Sequence, residues 1–348
     1  MNLLHVFKSV NVSVTSLVLL AIVANVAVAG HWDEENNPSA IEQYTGQKLI
    51  YKLQQLPTSG RLENKPWPDT YWPTRNNGIA WDWSGEGSPA GKFDKAKGDG
   101  SGIAIKEWFR TRGIFARTAP DWAGICHGWA PAALNFEEPG TCDYNGVHFY
   151  SGDIKALLDL MQGNYNPLEN CQVGGRSGTG VSERRVVNAD EDNVINDINP
   201  GAFHLIIANS IGRYQQGFVM DKDGGGEVWN QPTEGFKVLK MVPKSVDRSL
   251  AAAGTVKEYE VETDVIYTDE EGPSKEPVVE KKGEADKEFR KHWSLKYILE
   301  TDAQDNIIGG RWLQADHPDF IWFSKRAEFP EPFGKTLKAI YQKSLQNK

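Results

Sequence analysis

The sequence has little cysteine and a deficit of positive charge. Of its 348 residues only three are cysteine, and 38 Lys and Arg residues face 47 Asp and Glu residues, for a formal net charge of -9. An acidic chain argues against a nucleic-acid-binding protein and against a polybasic membrane patch. The sequence also lacks a paired C-x-x-C, an H-E-x-x-H and the phosphate-loop and dinucleotide fingerprints. It therefore predicts no patterned metal or nucleotide site.

Long apolar runs are likewise missing, except at the N-terminus. Residues 10–28 are mostly apolar, follow a weakly basic start and end in Ala27-Val28-Ala29. This pattern predicts a secretory signal peptide over residues 1–29, with a signal anchor as the alternative. We expect residues 30–75 to be an N-terminal lead-in or pro-segment and residues 76–348 to be the catalytic domain. After cleavage the protein should be a secreted monomer, extracellular or periplasmic, with no membrane association.

Hydrophobic periodicity divides the rest of the chain into a helical part and a strand-rich part. Apolar residues at helical spacing predict a helix from Ser151 to Gly163. From Ala202 onward the pattern alternates, which predicts strands at residues 202–208 (AFHLIIA), 217–221 (GFVMD) and beyond. The charged residues 269–286 are predicted to be a surface loop. Helices followed by antiparallel strands indicate an α+β fold.

Residues 122–136 (WAGICHGWAPAALNF) are predicted to place a cysteine, Cys126, at the start of a helix. Because proline is tolerated in the first helical turn, Pro131 predicts a helix that begins at about Gly128 or later. Cys126 then lies at or just outside the helix N-terminus, where the dipole favours a thiolate and free N–H groups can hold an oxyanion. A buried or disulfide-bonded Cys126 is the alternative.

The other two cysteines are predicted to form a disulfide. Cys142 and Cys171 lie in loop-like segments on either side of the predicted helix. In an oxidising compartment their bridge would leave Cys126 as the unpaired thiol. A free thiol in an exported protein favours a catalytic role for Cys126.

His204 and Asp221 are the candidate partners of Cys126. If their two predicted strands pair as a hairpin centred between Gly212 and Arg213, the two residues are directly opposed, with Cβ atoms about 4.5–5.5 Å apart. Asp221 would then orient the imidazole, which would take the proton of the thiol. The alternative is a core histidine and a turn aspartate. Asp221, with Asp223 and Glu227 around three glycines, is also a weak candidate for a calcium loop.

Residues 228–238 (VWNQPTEGFKV) resemble the surface elicitor peptide of the oomycete-type transglutaminase elicitor family. The resemblance extends to the segments around Cys126, His204 and Asp221. It implies a secreted protein-glutamine γ-glutamyltransferase with a papain-like cysteine core and with calcium as a candidate cofactor. It also implies roles for the three residues: nucleophile, base and orienting acid respectively. Three further residues are predicted to contact the substrate or to support the site structurally: Trp129, Trp229 and Asn230.

The predicted reaction is acyl transfer from a glutamine to a lysine amine through a thioester on Cys126, forming an isopeptide crosslink. Its partners would be protein substrates that bear Gln and Lys, and the chemistry itself requires no cofactor. One alternative is a cysteine endopeptidase or amidase that uses the same residues. Another is a non-enzymatic surface-binding or carbohydrate-binding module, suggested by the tryptophans at positions 67, 72, 81, 83 and 229.

Overall fold

The computed structural model describes residues 32, 35–112, 116, 118–175, 197–223 and 227–347. The predicted signal peptide lies outside these residues. No helix in the described ranges is long and apolar enough to cross a membrane.

Helices dominate the first half of the described chain, and strands dominate the second. The α-helices are α1 (Ser39–Thr45), α2 (Pro89–Lys97), α3 (Ile103–Arg112), α4 (Cys126–Asn135), α5 (Ser151–Asn164), α6 (Pro200–Tyr214) and α7 (Gly334–Ser344). The strands are β1 (Ser59–Arg61), β2 (Cys142–Tyr144), β3 (Val147–Phe149), β4 (Asn170–Val173), β5 (Phe218–Asp221), β6 (Asn230–Lys244), β7 (Lys257–Thr268), β8 (Arg290–Thr301), β9 (Ile307–Trp312) and β10 (Ile321–Ser324). This is a mixture of helices and sheet, as the α+β prediction requires.

One antiparallel sheet organises the molecule. Its eight strands follow the order β4-β10-β5-β6-β7-β8-β9, with β1 paired to β6, while β2 and β3 form a separate hairpin. Strand β6 is central, since it pairs with β5, β7 and β1. The α5 helix is confirmed within one residue of its predicted end.

The two faces of the sheet carry different helices. Side chains alternate along a strand, so Val219 and Phe218 point to opposite faces. Val219 packs with Trp322 and with Ala130 of α4. Phe218 packs in a second cluster with α6. Helix α4, which carries Cys126, therefore covers one face, and α6 covers the other.

The prediction of a strand at residues 202–208 was wrong, because this segment lies inside α6. Asn199 caps the helix by accepting a hydrogen bond from the Gly201 amide at 2.8 Å, and Pro200 occupies its first turn. All residues from Pro200 to Ile211 are buried. A helix that is buried on every side has no polar face, so its sequence cannot be told from a buried strand by periodicity.

The predicted start of the cysteine helix was also wrong. Helix α4 begins at Cys126, and Pro131 lies inside it, beyond the first turn. A proline there removes one internal hydrogen bond, the one that would end on the His127 carbonyl. Gly128 lets α4 approach α5 closely: a Cβ at this position would lie 2.1 Å from the Asp159 carbonyl oxygen. Gly128 and Gly163 thus allow the two helix backbones to lie in close contact.

The predicted disulfide is absent, since Cys142 and Cys171 are both free thiols. Cys142 lies in the β2–β3 hairpin, with its Sγ 3.5 Å from the Ile340 carbonyl oxygen. Cys171 lies in β4, opposite Phe323 at the edge of the main sheet. The two residues belong to different sheets, which the loop-like sequences around them did not reveal. Burial raises the pKa of the Cys142 thiol to about 11.

Candidate active site

Cys126 is the first residue of α4 and is almost completely buried, with 5% of its surface exposed. The preceding residue, Ile125, donates its amide hydrogen to the Tyr71 carbonyl at 2.6 Å. This bond ties the start of the helix to the segment that contains Tyr71. As predicted, the thiol lies at the positive end of a helix dipole.

Asn230 holds the thiol of Cys126. Its side-chain Nδ2 donates to Sγ at 3.4 Å. The other end of the amide is fixed as well, because Oδ1 accepts a hydrogen bond from the Trp322 indole at 2.8 Å. Asn230 therefore has one orientation, in which its donor faces the sulfur.

Asp221 lies directly opposite Asn230, in the register of β5 with β6. Its Oδ1 accepts backbone hydrogen bonds from Trp229 at 2.8 Å and Asp223 at 3.2 Å. These bonds hold the connection between the strands against Cys126, whose Sγ lies 3.8 Å from the Val228 carbonyl oxygen. Asp221 is fully buried and on the α4 side of the sheet.

The surroundings of Cys126 favour the protonated thiol. Burial raises its pKa, hydrogen bonds from Asn230 lower it, and the nearby carboxylates of Glu270 and Asp221 raise it again. Because the thiol is the weaker nucleophile, catalysis would need a base that takes its proton. The site thus contains a candidate nucleophile, a donor that stabilises the thiolate and two nearby carboxyl groups.

Comparison with known proteins identifies the family of the chain. The sequence family described as "Transglutaminase elicitor" matches residues 38–119 and 96–332. The chain belongs to the transglutaminase elicitor family. Its structure is similar to the crystal structure of the GP42 transglutaminase from Phytophthora sojae, with a TM-score of 0.72 and 25% sequence identity. The match covers 92% of this chain and 100% of the GP42 chain. No curated protein matches the sequence.

His204 of this transglutaminase elicitor family member is not beside Cys126. It lies on α6, and its Nδ1 shares a hydrogen bond with the Tyr297 hydroxyl at 2.8 Å. Tyr297 belongs to the cluster on the α6 face of the sheet, whereas Cys126 lies on the α4 face. Burial lowers the pKa of His204 to about 4, so the ring is neutral at physiological pH. The hairpin that was predicted to join His204 to Asp221 does not exist, because one of its two strands is a helix.

The other histidines of the described chain are also engaged elsewhere. His127 points toward Gly163 and has its pKa lowered by burial and by Arg110. Three more contact other groups: His148 bonds Asp143, His292 bonds Asp264, and His317 stacks on Trp312. Within the described ranges, no histidine is hydrogen-bonded to Cys126.

Two tryptophans predicted as support residues have different environments. Trp129 is fully buried in α4, and its indole donates to the Trp67 carbonyl at 3.1 Å. Trp229 is half-buried beside the thiol, with its ring edge-on to Tyr71 at a centroid distance of 5.4 Å. Its indole donates to Glu227 at 2.7 Å. Trp129 therefore stabilises the core, and Trp229 lies at the rim of the site.

The candidate calcium loop does not gather a ligand set among the described residues. Asp221 uses Oδ1 for two backbone amides, and Glu227 bonds an indole. In the parts of the chain that the structure describes, no three acidic, histidine or cysteine side chains are grouped as metal ligands. Residues 224–226 of the loop lie outside those parts.

The elicitor-like segment is mostly internal. Its residues 230–236 are buried in β6, and exposure begins at Lys237. Most of this segment is therefore not exposed at the surface. It supplies Asn230, which bonds the thiol, and then continues as the central strand of the sheet. The motif is thus part of the framework of the candidate active site.

Glu270 is a candidate residue that the sequence analysis missed. It follows β7, in a charged segment that was predicted to be a surface loop. In the structure its Oε1 is buried and has no hydrogen-bond partner among the described residues. A carboxylate in an acidic run gives no sequence signal of this kind, because its burial depends on the packing of distant segments.

Proposed function

We propose that this protein is a protein-glutamine γ-glutamyltransferase with Cys126 as its nucleophile. The γ-carboxamide of a protein glutamine would be attacked by the sulfur, ammonia would leave, and a lysine amine would then take the acyl group from the thioester. The products are an isopeptide crosslink and the regenerated thiol. The observation that carries the proposal is the placement of Cys126 at a helix N-terminus with its sulfur held by Asn230.

Asn230 and Asp221 have positioning roles in this proposal. The Asn230 amide points a donor at the sulfur, which stabilises the thiolate as it forms and as it leaves. Asp221 fixes the backbone of the β5–β6 connection and so holds Asn230 opposite the start of α4. A helix N-terminus also supplies backbone N–H groups that can stabilise an oxyanion on the acyl carbon.

The proposal includes a papain-like core, since Cys126 begins a helix that packs on an antiparallel sheet. It departs from the papain arrangement at the base, because His204 lies on the other face. Substrates would be exported proteins that bear accessible Gln and Lys, which accords with the predicted signal peptide.

The structure bears differently on the two alternative functions, a hydrolase and a binding module. A hydrolase would use the same nucleophile and would differ in whether water or an amine reaches the thioester. A binding module would need exposed aromatic rings, yet Trp67 and Trp72 are fully buried. The indole of Trp83 is bonded to Asp153 at 2.9 Å. Trp81 is exposed. Burial of Trp67 and Trp72 and the hydrogen bond of Trp83 favour an enzyme over an aromatic binding surface.

The test is incorporation of a fluorescent primary amine into casein by the mature chain, with and without calcium. We expect incorporation by the wild-type protein, complete loss in Cys126→Ala and full activity in Cys171→Ala, a matched control whose thiol lies in β4. Cys126-dependent ammonia release or cleavage without incorporation would assign a hydrolase. Incorporation that survives in Cys126→Ala would refute Cys126 as the nucleophile.

A further inference from the structure

No histidine of the described ranges is hydrogen-bonded to Cys126, so another group there is needed to accept the proton of the thiol. Two carboxylates act on the thiol electrostatically, Glu270 more strongly than Asp221. Asp221 already accepts two backbone hydrogen bonds through Oδ1. Glu270 has a buried oxygen without a partner in the described chain. The stronger charge interaction of Glu270 with the thiol, together with this buried oxygen, makes Glu270 the candidate acceptor of the proton.

Backbone hydrogen bonds hold Glu270 near Cys126. On one side of it, the Glu271 amide donates to the Asp69 carbonyl at 3.2 Å. Two residues farther along the same segment, the Tyr71 carbonyl accepts the amide of Ile125, which directly precedes Cys126. Two residues of chain span at most about 7 Å. The segment from Asp69 to Tyr71 therefore joins the backbone beside Glu270 to the backbone beside Cys126.

The charge around Glu270 suits proton exchange near neutral pH. Burial raises its pKa to about 8, with further contributions from Asp269 and Asp69. Burial raises the pKa of Tyr71 and of the Cys126 thiol, and the charge of Glu270 raises each of them further. A base is most effective when its pKa lies near the working pH.

We propose that Glu270 is the general base and acid of the acyl transfer, a role that rests on the function proposed above. In the first half, its carboxylate takes the proton of Cys126 as sulfur bonds to the glutamine carbonyl carbon. The same proton passes to the departing nitrogen, and ammonia leaves as the C–N bond breaks. In the second half, Glu270 takes a proton from the neutral acceptor amine as nitrogen bonds to that carbon. It returns this proton to sulfur as the C–S bond breaks.

The experiment compares Glu270→Gln with the wild-type protein in two assays. The first is ammonia release from a glutamine peptide in the presence of an amine, and the second is alkylation of Cys126 by iodoacetamide at about pH 9, above the ordinary thiol pKa. We expect ammonia release to fall about 10²-fold or more, the usual contribution of a general base. Alkylation should be faster, because loss of a nearby negative charge lowers the pKa of the thiol.

Matched variants separate a catalytic role from a structural one. Glu271→Gln, an exposed neighbour, should behave as wild type in both assays. Glu270→Asp should retain part of the activity. The rate of ammonia release by the wild-type protein should rise with pH through about 8, as Glu270 ionises. This rise should be absent in Glu270→Gln.

Three results would overturn the inference. Ammonia release by Glu270→Gln within about threefold of wild type would show that no general base was removed. A parallel loss of release and alkylation would show that Glu270 only supports the structure. If the wild-type protein itself releases no ammonia, the proposed function fails. The pH dependence of Cys126 alkylation then tests only the electrostatic interaction between Glu270 and the thiol. Identical pH profiles in wild type and Glu270→Gln would exclude that interaction.

Discussion

Gly128→Ala tests whether the contact between α4 and α5 positions Cys126, the proposed nucleophile. A Cβ at position 128 would lie 2.1 Å from the Asp159 carbonyl oxygen and 3.2 Å from the Gly163 amide nitrogen, both on α5. Non-bonded heavy atoms are optimal at about 3.5 Å, so α4 would have to move by more than about 1 Å. Overpacking of this kind costs about 1–3 kcal/mol, and the rigid backbone neighbours here place the cost near 3 kcal/mol.

The shift should damage activity more than stability. A chain of this size loses about 2 °C in Tm for each kcal/mol, so a decrease of about 6 °C is expected. Cys126 lies two residues from Gly128, and its sulfur depends on a 3.4 Å hydrogen bond from Asn230. Displacement by about 1 Å can cost 10²-fold in rate, which we expect for amine incorporation well below the Tm.

Thermal unfolding and amine incorporation measured on the same preparation distinguish the two effects. Gly272→Ala is the control, since a Cβ there meets nothing within 4 Å. If Gly128→Ala kept its Tm within about 1 °C of wild type and its full activity, helix contact would not position the thiol.

Two further predictions concern buried acids and free thiols. Burial raises the pKa of Asp69 to about 6 and that of its neighbour Asp159 well above the usual range. The folded state therefore keeps protons that the unfolded state releases above about pH 4, so stability should be full below that pH and fall as pH rises through about 6. Asp159→Asn should flatten this fall, measured by urea unfolding at several pH values, and parallel curves for the two proteins would contradict it. Thiol titration of the denatured, unreduced protein should detect all three cysteines as free, and a count of one would restore the disulfide.

Much of the sheet could be predicted from the sequence, because most of β7 alternates between buried and partly exposed residues and the first part of β8 between buried and exposed ones. The α5 helix could be predicted for a similar reason, since its apolar residues follow helical spacing. Helix α6 could not, because it is buried on every side and its sequence carries no periodic contrast. This error also affected the predicted site. Because the segment around His204 was predicted to be a strand, it was paired as a hairpin with the strand of Asp221, and the chain has no such hairpin.

The residues near the thiol also differ in whether the local sequence could identify them. Cys126 and Asn230 could be identified from local sequence, one from the start of a helix and the other from a recognisable motif. Glu270 could not, because its segment is held near the site by a backbone bond from Glu271 to Asp69, 202 positions earlier in the chain. Contacts of such long range leave no local pattern.

Strand β6 connects these two halves of the site. Its first residue, Asn230, bonds the thiol, and four residues later Glu234 is fully buried between two arginines. Arg290, one of them, also binds Glu280 at 3.1 Å, within the segment that follows Glu270. Removal of one partner of a buried ion pair lowers the stability of the folded protein by about 3–5 kcal/mol. These pairs therefore strongly constrain the segment. The strand that orients the proposed nucleophile thereby also anchors the loop that carries its proposed base, so the buried part of the elicitor-like motif connects the two sides of the candidate site.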